Sequence, residues 1–470
     1  MGKVKMINSR LRMKTEGDIN LSAERKKWQQ SYLNRQSNQL LKKDNKYFLS
    51  QSLSTPCLNV LKSAAGIYIE DQQGKKLMDF HGNNVHQFGF KNPKIIEAVK
   101  REMDKLPFST RRYTNEKTVE LAERLAEIAP GDLNKVLFAP GGSEAVSMAV
   151  KLSRKITGNF KMVSMWDSFH GATLDAISVG GQAQFSRGMG PLLSGVEHVL
   201  PFNSYRCPFG ECSECGFKCL DYLEFVLARD DEIGALIVET IRNTDVQIPP
   251  EIYYKRIRKL CSKYDVLLIL DEIPIALGRT AFNFAFEHYG IVPDIVILGK
   301  GLGGGIFPLA AIIAREDFDQ ADDISLGHFT HEKSPTAAAA ALAALDFLEK
   351  EKLLSHTREI GNYFGSKLKE LQQKYEIIGD VRGIGLLYGL ELVQNRETKE
   401  KAAEKAEKIM YRALTKGLNF KVSKGNVISL SPPLVINKTE IDQAVKILDQ
   451  SIAEVLNNDI NLKGAKNELK

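Results

Sequence analysis

The amino-acid sequence predicts an α/β protein with a large, mostly parallel, doubly wound domain and a smaller α+β C-terminal domain. Short runs that are almost entirely apolar occur at residues 136–138, 162–165, 235–238, 266–270 and 295–298. Such runs are typical of strands buried on both faces of a parallel sheet. Helical segments alternate with these runs, at residues 144–157, 219–229 and 254–264. Strands and helices in alternation indicate crossover connections and a doubly wound core.

The first 90 residues are predicted to form an extension followed by a hairpin. Residues 1–45 are polar, with weak helical periodicity around Trp28 and Tyr32. We expect them either to dock on a partner surface or to fray. A strand-like run from Gly66 precedes Gln-Gln-Gly-Lys, so Gly74 is expected in the turn of the hairpin.

The large domain is predicted over residues 91–335, where Pro93 opens an amphipathic helix. From Thr336 the pattern changes to a long Ala-rich helix, a second helix, short strands and a last helix. These features predict a smaller domain over residues 336–456. The remaining segment, residues 457–470, is polar and is predicted to be a disordered tail.

The composition argues against several classes of protein. The net charge is +6, but basic and acidic side chains are mixed along the chain, so no concentrated basic face for nucleic acid is expected. No stretch approaches the roughly 20 apolar residues that a membrane helix needs, and the polar start has no signal-peptide core. Six cysteines without an export signal predict a cytoplasmic location, with thiols that are free or metal-bound.

Two polar side chains follow buried strands of the predicted sheet. Asp271 ends the run at 266–270, and Lys300 stands between two glycines after the run at 295–298. The carboxyl edge of an open α/β sheet is where ligands bind. An aspartate there can keep a pyridinium nitrogen protonated, and a partly desolvated lysine can hold an aldehyde as a Schiff base. Taken singly, each has a plainer explanation, as a solvated strand end or a surface lysine in a Gly-rich turn.

Two further segments suggest how a flat, phosphorylated ligand is held. Gly142 and Ser143 precede a helix, and free backbone N–H groups with a hydroxyl at a helix N-terminus suit a phosphate. Ser143 as an ordinary N-cap is the alternative. Phe169, beside His170 after the second strand, has a ring that suits stacking on a flat ligand, with a core phenylalanine as the alternative.

Together these segments resemble the class III (fold type I) aminotransferases, which depend on pyridoxal 5′-phosphate (PLP). The resemblance is carried by residues 142–145, 169–171, 271–280, 294–308, 381–386 and 432–434. It implies that Lys300 holds PLP, that Asp271 faces the ring nitrogen, and that the substrate is a small-molecule amine. It also implies a homodimer in which Thr330 reaches the phosphate in the neighbouring site. The cofactor-binding residues that it implies are Gly142, Ser143, Phe169, His170, Glu239, Asp271, Lys300 and Thr330.

Three departures from the family pattern concern the reaction. Pro274 stands where the family usually has Gln, and Ser429 stands where many members have an Arg that binds a substrate carboxylate. A neutral hydroxyl cannot make the two-pronged Arg–carboxylate contact, which weakens the case for transfer of nitrogen to 2-oxoglutarate. Arg242, just after Glu239, is a candidate for binding a phosphonate or phosphate, with a surface ion pair as the alternative.

Polar residues on the expected substrate side resemble one sub-branch, the (R)-1-hydroxy-2-aminoethylphosphonate ammonia-lyases. The resemblance implies release of ammonia and phosphonoacetaldehyde. An ω-amino acid or amine:2-oxoacid aminotransferase, similar to those for 4-aminobutyrate or ornithine, is the alternative within the family. A binding protein that kept the fold and lost activity is the alternative outside it. The candidate substrate residues are Asn83, Asn84, Arg111, Arg112 and Arg242.

Four cysteines cluster in a predicted insertion at residues 205–220: Cys207, Cys212, Cys215 and Cys219. Four thiols at this spacing are able to hold Zn²⁺ or an iron–sulfur cluster. Because paired C-x2-C knuckles are missing, four thiols without a metal are the alternative. A metal here is predicted to be structural.

Overall fold

The computed structural model describes residues 22–210 and 212–467, except for the side chains of residues 212, 213 and 458–467. The strands are β1 (Leu61–Ala65), β2 (Tyr68–Asp71), β3 (Lys76–Asp79), β4 (Leu133–Ala139), β5 (Lys161–Met165), β6 (Val196–Val199), β7 (Ile233–Glu239), β8 (Leu267–Asp271), β9 (Ile295–Leu298), β10 (Ala310–Arg315), β11 (Ile378–Ile384), β12 (Leu387–Leu392), β13 (Leu418–Asn419), β14 (Lys421–Ser423) and β15 (Val427–Leu430). The helices are α1 (Ala23–Tyr32), α2 (Arg35–Tyr47), α3 (Pro93–Lys105), α4 (Glu116–Ile128), α5 (Gly142–Thr157), α6 (Leu174–Val179), α7 (Ala183–Ser186), α8 (Cys212–Cys215), α9 (Lys218–Leu227), α10 (Glu251–Lys263), α11 (Pro335–Lys350), α12 (Leu353–Lys374), α13 (Ala403–Lys416) and α14 (Lys438–Asn467).

A seven-stranded sheet in the order β4-β10-β9-β8-β7-β5-β6 forms the centre of the larger of two compact units. Neighbouring strands from β9 through β6 are parallel, whereas β10 runs antiparallel to both β4 and β9. Every residue of β7 is buried, as expected for a strand inside a parallel sheet. The predicted α/β class with a mostly parallel sheet is confirmed. Strands β6 and β10 were not predicted from the sequence.

The larger unit contains residues 83–359 and 384–386. Its Ala-rich helix α11 packs against α3 and α4, and the run Ala337–Ala341 is buried. Small side chains allow such close approach of helices. The unit boundary therefore differs from the predicted domain boundary at residue 336, because the Ala-rich pattern marks a helix packed within the larger unit.

A short segment later in the chain, residues 384–386, also belongs to the larger unit. Leu386 N–H donates to Arg279 O, and Arg279 Nη1 donates to Leu386 O, both at 3.0 Å. Gly385 has a φ of +55°, and a Cβ at this position would overlap Arg279 O and come within 2.8 Å of Thr280 Cα. Only glycine therefore fits this position without a shift of the backbone.

We expect Gly385→Ala to lower the free energy of unfolding by about 2 kcal/mol or more, because left-handed strain and backbone overlap add. Thermal unfolding of the purified variant measures the effect. Gly290→Ala is the matched control, since Gly290 has a φ of +58° and nothing within 4 Å of a Cβ; it should cost only about 1 kcal/mol. Equal losses in the two variants would contradict the packing argument.

The smaller unit contains the described chain up to Gly82, residues Ile360–Gly383 and the chain from Leu387 onward. It has two sheets, in the orders β1-β2-β3-β13 and β11-β12-β15-β14. The antiparallel pair β2–β3 is the predicted hairpin, with Gly74 in its turn at a φ of +83°.

The N-terminal extension is helical and packs within this smaller unit. In α1, the Trp28 ring stacks on Tyr32, and Trp28 Nε1 donates to Thr415 Oγ1 in α13. Tyr32 donates to Asp71 Oδ2 at 2.7 Å. The helix α1 therefore packs on its own chain, so fraying is wrong for its residues, whereas docking of the extension on a partner surface stays a prediction. Residues 1–21 lie outside the described part.

The C-terminal helix α14 continues to Asn467. The predicted polar tail from residue 457 therefore begins inside this helix, and residues 468–470 lie outside the described part. The segment is polar but contains no proline, and polarity alone does not stop a helix. Among the described helices, α14 included, none is long and apolar enough to span a membrane.

Candidate active site

The carboxyl ends of β7, β8 and β9 lie side by side at one edge of the large sheet. Glu239 pairs in register with Asp271, and Asp271 with Ile297, three residues before Lys300. A cavity of about 260 Å³ opens at this edge, slightly below the usual size range of small-molecule sites. The structure brings these predicted residues together around it: Gly142, Ser143, Phe169, His170, Glu239, Asp271 and Lys300.

Asp271 is buried and held by two hydrogen bonds. Ile273 N–H donates to its Oδ1 at 3.0 Å, and His170 Nδ1 lies 2.8 Å from its Oδ2. An ionised carboxylate can only accept, so Nδ1 is the donor. His170 is itself buried. The two donors fix the plane of the carboxylate at the cavity.

Lys300 follows β9 at the start of a 3-10 turn, Lys300–Gly303. Its φ is +46°, in the left-handed region. Non-glycine residues in this region are strained, and they cluster at functional sites. The next residue, Gly301, has no room for a side chain, because a Cβ there would overlap Gln87 Oε1. Gln87 is in turn anchored by donating to Ala276 O at 2.8 Å.

Glu239 joins two loops that border the cavity. Its carboxylate accepts from Phe169 N–H at 2.7 Å and from Asn243 N–H at 2.9 Å. Burial raises the pKa of this carboxyl, although the nearby His170 and the two N–H donors oppose the shift. One buried side chain therefore sets the positions of both the Phe169 ring and the Asn243 turn.

Helix α5 begins at Gly142, after Gly141 as its N-cap, and no side chain caps it. Ser143 is thus the second helical residue, and its Oγ accepts from Ala172 N–H at 3.1 Å. The alternative of Ser143 as the N-cap is therefore wrong. The first N–H groups of a helix lack partners inside the helix and attract anions.

The residues around the cavity fit PLP. The uncapped start of α5 suits the phosphate, the Asp271 carboxylate suits the ring nitrogen, the Phe169 ring offers a flat face, and Lys300 supplies an amine. Glycines keep the space open. A Cβ at Gly142 would lie 2.9 Å from Ile273 Cδ1, and a Cβ at Gly171 would overlap Ser143 Oγ.

Other predicted residues stand apart from this cavity lining. Thr330, Asn83 and Arg112 are exposed. Arg111 Nε donates to Glu332 at 3.1 Å. Asn84 is buried and reaches the cavity wall indirectly, by donating from Nδ2 to Asn243 Oδ1 at 3.1 Å.

Arg242 forms a buried ion pair. Its Nε and Nη2 donate to the two oxygens of Asp245 at 2.6 and 2.8 Å. Burial opposes the charge on the Arg242 guanidinium, but the Asp245 carboxylate outweighs this effect and raises its pKa above the usual value. The alternative of an ion pair is thus present, buried instead of at the surface. The two guanidinium nitrogens with which Arg242 could bind a phosphonate already donate to Asp245.

Six residues that line the cavity were not assigned to the site from sequence: Gly171, Ala172, Asn243, Thr244, Ile273 and Pro274. Pro274 was noted only as a departure from the family pattern. Asn243 and Thr244 follow the strand-end Glu239 closely, and this position was the available signal. The basic side chain of Arg242 is the stronger candidate from sequence, because anions pair with cations.

The structure does not support a metal centre in the cysteine segment. Among the described side chains, no group of three or more His, Cys, Asp or Glu residues is placed to hold a metal ion. Cys215 and Cys219 are buried and Cys207 is partly buried, in keeping with thiols in a packed insertion. The side chain of Cys212 lies outside the described residues.

Comparisons with known proteins agree with this geometry. The family profile described as "Aminotransferase class-III" matches residues 50–452. The chain is 49% identical over 457 residues to "(R)-1-hydroxy-2-aminoethylphosphonate ammonia-lyase" of Vibrio splendidus (strain 12B01), covering 94% of this chain and 95% of that protein.

Two further relatives are a curated protein and a solved structure. "Acetylornithine aminotransferase" of Caldanaerobacter subterraneus subsp. tengcongensis is 35% identical, covering 88% of this chain and 98% of the relative. A PLP-bound amine transaminase from an uncultivated Pseudomonas species superposes with a TM-score of 0.82 at 29% identity, covering 87% of this chain and 98% of the other. From the cavity, the profile match and these relatives, it follows that the chain belongs to the class III aminotransferase family of PLP-dependent enzymes.

Proposed function

We propose that this enzyme is an ammonia-lyase that converts (R)-1-hydroxy-2-aminoethylphosphonate to phosphonoacetaldehyde and ammonia. The observation that carries the proposal is the 49% identity, over nearly the whole of both chains, to the Vibrio splendidus protein of that name. Two residues add support. Pro274 lines the cavity where the family usually has a Gln, and Ser429 replaces an Arg that many members use for a carboxylate.

The chemistry divides among few groups. PLP, when bound, supplies an electron-accepting ring that stabilises negative charge on the carbon next to nitrogen. Asp271 would keep the ring nitrogen protonated, and the uncapped start of α5 would hold the phosphate. Lys300 Nζ takes a proton from the carbon that bears nitrogen. The hydroxyl on the neighbouring carbon leaves with a proton as water. The released enamine tautomerises and is hydrolysed by one water, giving the aldehyde and ammonia with no net change in oxidation state.

An aminotransferase is the second candidate, favoured by the 35% identity to the acetylornithine aminotransferase. Proton removal by Lys300 is common to both reactions. They diverge afterwards, because transfer needs a 2-oxoacid to bind and take up the nitrogen. Ser429 lies buried in β15, and its neutral hydroxyl lacks the paired donors that hold a carboxylate.

We expect the purified holoenzyme to release ammonia and phosphonoacetaldehyde in equal amounts from (R)-1-hydroxy-2-aminoethylphosphonate, with no 2-oxoacid present. Coupled enzymatic assays for ammonia and aldehyde measure both products. The comparison is the same mixture with added pyruvate or 2-oxoglutarate. Alanine or glutamate formed only with the oxoacid, and no ammonia without it, would favour the aminotransferase.

The same proposal includes a cytoplasmic homodimer in which Thr330 reaches the neighbouring site. Thr330 is exposed and is not among the residues around its own chain's cavity, which leaves it available to a partner. The cysteine thiols suit a reducing compartment. Sedimentation should give the mass of two chains, and Thr330→Val should weaken retention of PLP on dialysis; a monomer that retains PLP would contradict this arrangement.

A further inference from the structure

A turn that follows β7 forms one wall of the cavity. It runs between Arg242 and Gln247, whose backbones form an isolated antiparallel bridge, and the buried Arg242–Asp245 ion pair closes it. Glu239 fixes the start of the turn by accepting from Asn243 N–H. The turn is therefore held in place from both sides, and Arg242 acts as a positioning residue for the side chains that the turn presents.

Those side chains are Asn243 and Thr244, and both have their acceptor atoms engaged. Asn243 Oδ1 accepts from Asn84 Nδ2 at 3.1 Å. Thr244 Oγ1 accepts from Gln182 Nε2 at 3.2 Å. With the acceptors satisfied, the Asn243 Nδ2 hydrogens and the Thr244 hydroxyl hydrogen remain as donors. Neither side chain donates a hydrogen bond to another residue that the structure describes.

The residues around the cavity offer few positive charges that could bind an anionic substrate group, so neutral hydrogen-bond donors matter for its binding. Lys300 is the one cation among the described residues that line the cavity. The guanidinium of Arg242 is paired with Asp245, and that of Arg111 contacts Glu332. An anionic substrate group at this wall would therefore meet neutral donors and not an arginine fork. Hydrogen bonds from neutral donors to a charged oxygen are strong when partly desolvated.

We propose that Asn243 Nδ2 and the Thr244 hydroxyl bind oxygens of the substrate phosphonate and so determine specificity for aminoalkylphosphonates. The assignment rests on the proposed function for the nature of the substrate. The phosphonate fits better than the substrate hydroxyl, because it offers several negatively charged acceptor oxygens to two neighbouring donors. A hydroxyl offers one neutral oxygen.

The test is calorimetric binding of two amines to the holoenzyme. 2-Aminoethylphosphonate carries the phosphonate without the hydroxyl, and 1-amino-2-propanol carries the hydroxyl without the phosphonate. Asn243→Asp keeps the shape but replaces the donors with a carboxylate. It should weaken binding of the phosphonate roughly 10- to 100-fold, the scale of hydrogen bonds to charged groups, and leave binding of the aminopropanol unchanged. Thr244→Val should likewise weaken binding of the phosphonate, and Thr244→Ser, which keeps the hydroxyl, should bind it as the wild type does.

Asn45→Asp is the charge control, because Asn45 is exposed on α2 in the smaller unit. The visible spectrum of bound PLP should be the same in all variants. Equal loss for both amines, loss for the aminopropanol alone, or no loss in Asn243→Asp would overturn the assignment. The lyase proposal fails separately, if wild-type enzyme releases no ammonia while the phosphonate-selective loss persists.

Discussion

Lys300→Ala is expected to lower turnover of the phosphonate substrate by roughly 10³-fold or more, the scale seen when other covalent catalytic groups are removed. The variant loses both the amine that would bind PLP covalently and the base that would take the substrate proton. Borohydride reduction should fix PLP to a peptide containing residue 300 in the wild-type enzyme. The same treatment should leave PLP removable by dialysis in the variant.

Lys259→Ala is the matched control, because Lys259 is an exposed lysine in the same unit. It should keep wild-type turnover and the borohydride-fixed PLP. Ammonia release by Lys300→Ala at a rate near wild type would show that the amine at this strand end takes no part in the chemistry. The proposed role of Lys300 would then be wrong, whatever the substrate.

Asp271→Asn is expected to lower kcat/KM roughly 10²- to 10³-fold, the range found for loss of one preorganised electrostatic contact. The amide keeps the size of the side chain and can still accept from Ile273 N–H. The amide removes the charge that would hold a ring nitrogen protonated. Its NH2 group would also face the His170 Nδ1 donor, where the carboxylate oxygen accepted a hydrogen bond. Steady-state kinetics of the PLP-loaded variant measure the effect.

The neighbouring carboxyl of Glu272 provides a contrasting variant. Glu272 is fully buried, and its oxygens accept from Ala285 and Phe286 N–H at 2.6 and 2.8 Å. Burial raises the pKa of Glu272 to about 7. Glu272→Gln leaves one of these N–H groups opposite an amide NH2, so it should lower the melting temperature while kcat is retained. Similar kinetic losses in the two variants would show that Asp271 acts only through the fold.

Local sequence was sufficient to predict most of the large sheet. Three of its central strands, β7, β8 and β9, contain runs without polar residues, and such a run has few alternatives to burial on both faces. Strand β10 was not predicted, and its antiparallel direction is decided by pairing with β9 and with β4, which is distant in sequence. Likewise, the Ala-rich sequence of α11 indicated the start of a new domain, although this helix packs against α3 and α4.

The α/β class and the proximity of Asp271 and Lys300 can be predicted from the sequence, because parallel strands place their carboxyl ends at one edge of the sheet. Which polar groups are already hydrogen-bonded follows only from the tertiary contacts. The Arg242 guanidinium donates to Asp245. Asn84 and Gln182 donate to the side-chain oxygens of Asn243 and Thr244, so that the hydrogens of these two side chains are available at the cavity wall. Periodicity records which face of a strand or helix is buried. It does not record hydrogen-bond partners brought together from separate loops.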